Sequence, residues 1–152
     1  MVTTRPLPSR TLLPDQGTWT RLTPFPAVCF TLALCTDIAY WQTSNLMWQN
    51  FSSWLLFAGL VVGGIAALVG LIELLARRGL RGDAHAWMHW AGIVVALLLA
   101  LLNSLIHAGD GWSAVVPGGL VVSALTVVVL VFTAWLARPP RRYTDTGARI
   151  DD

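Results

Sequence analysis

The chain has 152 residues, of which 55% are hydrophobic and only 12% charged, with a formal net charge of +2 and a mean hydropathy of +0.63. Soluble domains carry about twice that charge fraction. A soluble-type enzyme is therefore excluded, and nothing in the composition points to nucleic acid.

Residues 1–21 form a polar, proline-rich tail. It is longer than the usual charged start of a secretion signal, and the apolar run after it has no small-residue cleavage site, so it reads as a cytoplasmic tail. The first span covers 22–41. Its two cysteines, Cys29 and Cys35, lie six residues apart on different faces of one helix; they cannot pair and read as small buried hydrophobes. A loop at 42–53 has no ionisable group but contains Met47 and Trp48.

The second span covers 54–75 and carries small residues, Gly59, Gly63, Ala67 and Gly70, close to one face. Lipid provides no hydrophobic drive between helices, so association relies on close backbone approach at such positions. Packing within the bundle, a homodimer seam and close approach of a cofactor ring are the three uses open to it. The third span covers 87–106, and a tight connection containing Gly109, Asp110 and Gly111 leads to the fourth, 115–136. Pro117 is tolerated near that helix's start, where N–H groups have no intrahelical partner. Ser123, Thr126 and Thr133 form a weakly polar stripe, facing the bundle or bonding to their own backbone. Pro139 and Pro140 stop the helix, and the polar tail 138–152 is expected to be disordered.

Each run is long enough to cross a bilayer at about 1.5 Å per residue, and short connections make successive helices antiparallel neighbours. The predicted fold is all-α: an integral membrane four-helix bundle over 22–137, running up-down-up-down. Arginine placement sets its orientation. There is no lysine, and all ten arginines fall in the two tails, beside the first span or between the second and third spans. The positive-inside rule puts both termini and the middle loop of this multi-pass chain in the cytoplasm. The eight tryptophans cluster at span ends, as an aromatic belt requires. Stacking one of them on a cofactor is the alternative use.

His89 and His107 are eighteen residues apart in the third span, five whole turns or about 27 Å along one face. Each histidine thus sits near one membrane surface, and His85 is about one turn before His89. Polar groups in a span are costly and point to function. On the outer side Asp37, Asn103, His107 and Asp110 form a candidate cluster, either a structural hydrogen-bonded network or a site for haem or a quinone headgroup. On the inner side stand Glu73, Arg77, Asp83, His85 and His89. Glu73 and Arg77 have ion-pair spacing, and His85 with His89 has spacing for metal chelation. Six-coordinate haem needs ligands on opposite ring faces, which one helix cannot supply. Met47, another subunit or a partner chain would have to complete the set.

The run TDIAYW at 36–41 resembles a bacterial inner-membrane family known as domain of unknown function 2231. So do Phe51, Ser52, Trp54, Leu55 and Leu56, and so does the stretch from His107 and Asp110 to Val115, Val116 and Pro117. The resemblance covers about residues 23–137. The family pattern has histidines matching His89 and His107 and an asparagine matching Asn103. This chain departs from it at Gly109, where a basic residue is common, and at Glu73, where aspartate is usual; it also lacks the usual C-terminal extension. The family is similar to small two-haem membrane cytochromes, and its relatives occur with Rieske or quinoprotein dehydrogenase partners. The resemblance therefore implies redox work by analogy; in that reading His107, with His89 beside it as a second candidate, would hold haem b, and Asn103, Asp37 and Asp110 would surround it. Electrons would pass between a periplasmic redox protein and the quinone pool. The reading beside it is a cofactor-free subunit that packs against a larger membrane complex or a second copy. Both point to an electron-transfer or accessory subunit rather than a stand-alone enzyme.

Overall fold

A computed structural model describes residues 18–109 and 115–136. A 3-10 turn, Thr18–Arg21, leads into α1 (Pro24–Thr43), α2 (Leu46–Ala76), the single turn α3 (Arg78–Arg81), α4 (Ala84–His107) and α5 (Gly118–Leu136). Four of these helices are long and apolar enough to cross a membrane. The chain is thus an all-α four-helix membrane bundle.

The helix ends follow from local chemistry. α1 opens on Pro24, with Pro26 in its first turn, where a missing N–H costs nothing. It closes at Ser44, which adopts a left-handed conformation (φ 52°) and donates its N–H to the Tyr40 carbonyl at 2.7 Å. Asn45 then caps α2 by accepting from the Met47 N–H at 3.0 Å, and Asp83 caps α4 by accepting from the His85 N–H at 2.9 Å, each satisfying a donor that the helix start leaves open.

Three boundaries differ from expectation. The loop expected at 42–53 is helix from Leu46 onward, and α2 runs 31 residues, about 46 Å. Gln49, Asn50, Ser52 and Ser53 lower the hydropathy there, yet 46–53 contains no glycine or proline and follows directly on the Asn45 cap. Hydropathy locates what lipid covers, not where a helix stops. Similarly, His85 lies within the first turn of α4 rather than before it, and α5 begins after Pro117. Residues 1–17, Asp110, Gly111, Trp112 and the tail 138–152 fall outside the described residues, whereas the end of the expected N-terminal tail, Thr18–Arg21, is a 3-10 turn.

In the bundle α1 packs on α2 and α5, and α4 packs on the same two helices. The small-residue face of α2 points inward. A side chain at Gly59 would meet Phe30 at 2.5 Å, and one at Gly63 would meet Leu97 at 2.6 Å and Pro26 at 3.3 Å. Gly70 receives the rings of Trp90 and Trp19. The buried line runs through Ala66 rather than Ala67, whose carbonyl instead accepts from the Trp90 Nε1 at 2.9 Å. Midway, Phe30, Ala33, Leu56 and Ala100 form an apolar core backed by Leu55, Leu60, Leu97 and Leu130.

Two residue assignments change. Trp41, Trp54 and Trp135 are exposed, as membrane anchors should be, but Trp19 is only 3% exposed and serves as a packing element. Cys29 is buried as expected, whereas Cys35 is exposed.

Candidate functional site: a buried carboxylate cluster

Each long helix buries a stripe with helical spacing, and at one end of the bundle every stripe carries polar residues. In α1 the stripe is Phe30, Ala33, Asp37 and Tyr40; in α2 it is Ser52, Leu56 and Gly59. In α4 it is Ala96, Ala100, Asn103 and His107; in α5 it is Gly119, Ser123 and Thr126. Asp37 lies near the end of α1 and Ser52 near the start of α2. Likewise His107 ends α4, and Ser123 is one turn into α5. The four helix ends therefore bring Asp37, Ser52, Asn103, His107 and Ser123 together, all 5% exposed or less.

Asp37 is the hub. Its Oδ1 accepts from the Ser52 hydroxyl at 2.5 Å and pairs with His107 Nε2 at 2.9 Å. Its Oδ2 accepts from the Ser123 hydroxyl at 2.5 Å. The Asn103 amide donates to Ser123 Oγ at 2.7 Å, and His107 Nδ1 donates to the Asn103 backbone carbonyl at 3.0 Å. Thr36 Oγ1 joins Ser52 Oγ at 2.6 Å. One carboxylate thus links α1 to each of the other three long helices.

The proton count follows from these partners. A carbonyl can only accept, so His107 Nδ1 carries a hydrogen. A lone pair on Nε2 facing a lone pair on Asp37 Oδ1 at 2.9 Å would be repulsive, so one proton lies between them. Whichever atom holds it, the pair has no net charge, and an isolated buried carboxylate, costly by several kcal/mol, is avoided. Asn103 Oδ1 is buried without a hydrogen-bond partner.

The structure brings Asp37, Asn103 and His107 together as the sequence suggested; Asp110 lies outside the described residues. Ser52, Ser123 and Thr36 were missing from the expected cluster. Their signal was available: each is a hydroxyl facing the bundle near a helix end, level with Asp37. As a haem site the cluster does not fit. Iron needs a free imidazole lone pair, but both His107 nitrogens are held inside the bundle. Met47 is exposed on the first turn of α2, while His107 is turned inward.

The residues of the second expected cluster remain dispersed. Glu73 and Arg77 approach to 3.8 Å, Asp83 caps α4, and His85 is exposed with Nδ1 3.9 Å from Asp83. No group of three His, Cys, Asp or Glu side chains among the described residues is placed to hold a metal ion. His89 is half-buried against Trp19, with ring centroids 5.0 Å apart, and lines a cleft between α1, α4 and α5.

A family described as "Predicted membrane protein (DUF2231)" matches residues 21–138, and the chain belongs to it. No curated protein and no solved structure matches.

Proposed function

We propose that this member of the DUF2231 family is an accessory subunit of the bacterial inner membrane, with both termini cytoplasmic, which acts by packing against other membrane-embedded chains. The polar cluster is the clasp that fixes its four helices. The observation that carries this reading is that the cluster is closed on itself: three donors converge on Asp37, and both His107 nitrogens are engaged. Beneath it lies the apolar layer of Phe30, Ala33, Leu56 and Ala100. What the molecule presents outward is apolar, including Phe57, Ile65, Leu98, Leu105 and Val128. That surface suits lipid and neighbouring helices alike.

Two measurements test the reading. The protein is cross-linked in native membranes, purified in mild detergent with its partners, and examined by dithionite-reduced minus oxidised spectra. A defined membrane partner and no b-type band traceable to this chain are expected. An α-band abolished by His107→Ala or His89→Ala, in variants that still assemble, would replace this reading with electron transfer to or from the quinone pool. Orientation is tested in a background lacking Cys29 and Cys35. Asn50→Cys should react with an impermeant thiol reagent from outside and Gly79→Cys should not; the reverse pattern inverts the topology.

A further inference from the structure

The cleft beside His89 sets a half-buried imidazole against mostly apolar walls. It lies at the end opposite the carboxylate cluster, among the first turn of α1 (Thr23, Pro24, Pro26), the early part of α4 (His89) and the last turn of α5 (Thr133). Its volume is about 220 Å³. A dry cavity of roughly 150 Å³ accepts a benzene ring, and sites for whole drug-sized ligands start at about 300 Å³. The cleft therefore holds one substituted ring and not a macrocycle.

Its walls are mostly apolar, and the polar atoms on them are few. His89 makes no hydrogen bond with the described residues, while its stacking on Trp19 holds the ring at the cleft wall. An imidazole offers one donor and one acceptor when neutral. The Thr23 and Thr133 hydroxyls have already donated their hydrogens to the carbonyls of Thr20 and Val129, so towards a ligand they can only accept. Gly92 lies against Thr133 so closely that a side chain there would collide with it, which closes the wall between α4 and α5. A lipid acyl chain in this space would offer the half-buried imidazole no hydrogen bond. A ring bearing oxygen would offer one.

We propose that this cleft binds a phenol- or quinone-type ring on an aliphatic tail, with a ring oxygen hydrogen-bonded to His89 and the tail running out into the lipid. The proposal is independent of the accessory-subunit reading, because it uses none of the clasp residues and assigns no reaction to the ring.

The test uses the full chain in nanodiscs of saturated phosphatidylcholine, with a photoreactive azido-benzoquinone carrying a decyl tail as probe. Labelling should saturate, map to peptides around Thr23 and His89, and be displaced by unlabelled decyl-benzoquinone. His89→Leu should weaken binding about tenfold, the loss of one buried hydrogen bond. Ala134→Phe should abolish it by filling the cleft from its exposed rim, and because Ala134 is exposed the fold should survive. Labelling spread over all lipid-facing segments and indifferent to both variants would overturn the site. Equal displacement by a ten-carbon phospholipid would overturn the ring in favour of an acyl chain.

Discussion

The two ends of this bundle are held together by different physics. At the Asp37 end, four helices meet through directional hydrogen bonds to one carboxylate, from Ser52, His107 and Ser123. At the opposite end they meet by shape: Trp19 and Trp90 press on Gly70, Leu97 and Pro26 on Gly63, and Gly92 on Thr133. Lipid is as apolar as leucine and gives helices no reason to associate, so a membrane bundle needs polar glue or close backbone approach. This chain uses each at a separate level, with the apolar layer of Phe30 and Leu56 between them. The polar end gathers three side chains around one carboxylate. The steric end depends on the fit of large rings into small-residue gaps, and beside it a cleft remains.

The largest expected effect comes from removing the hub. Asp37→Leu strips the acceptor from three buried donors at once. Breaking a buried pair by deleting one partner costs about 3–5 kcal/mol, so the variant should show a large loss of thermal stability in detergent or fail to accumulate. Asp37→Asn keeps the shape and one acceptor oxygen and should lose less. If Asp37→Leu melts with the wild type, the Asp37 end is held by packing after all and the contrast between the two ends disappears.

The steric end should respond to volume instead. Gly63→Leu places a side chain where even a single Cβ would come within 2.6 Å of Leu97. Overpacking of this kind costs typically 1–3 kcal/mol, and here it should also separate α2 from α4. Loss of assembly, read by limited proteolysis and native gel migration, is the expected result. Wild-type behaviour would mean that the small-residue face is not a packing surface.

These two contacts also mark how much the sequence disclosed. The span count, the small-residue face of α2 and the pairing of Asp37, Asn103 and His107 were legible because each leaves a mark along the chain: hydropathy, i,i+4 spacing, or charge in an apolar run. The extension of α2 to Leu46 was not, since polar residues at a membrane surface look alike in a loop and in a helix. Ser52 carries no such mark, and Ser123 reads only as part of a stripe that faces the bundle or bonds to its own backbone, as a serine in a span ordinarily does. Only the meeting of four helix ends shows that these two reach Asp37 instead. The burial of Trp19 was hidden for a related reason: an indole at a span end suits a lipid interface or a neighbouring helix equally well, and the choice depends on Gly70, some fifty residues away.

Ser123→Ala sharpens the comparison at intermediate strength. It removes one donor to Asp37 and the acceptor for the Asn103 amide. An unmet buried polar group costs about 1–3 kcal/mol, so the loss should fall between those of Asp37→Asn and Asp37→Leu. Combined with Asp37→Leu it should add little, because both act on the same hydrogen bonds. Full additivity in a double-mutant cycle would show that Ser123 contributes independently of the carboxylate.

The smallest effect is expected at Val61→Leu, two residues from Gly63 on the same helix. Val61 is 47% exposed and faces away from the bundle, so an added methylene meets lipid, which solvates leucine and valine alike. Substitutions away from packed features stay within about 0.5 kcal/mol, and thermal stability should be unchanged within error. The value of this variant lies in its pairing with Gly63→Leu, since both lengthen a side chain at the same depth. If both destabilise alike, α2 is sensitive to bulk on every face and Val61 is covered by another chain. That result would move this face of α2 from the lipid to a partner, and so locate the contact that an accessory subunit requires.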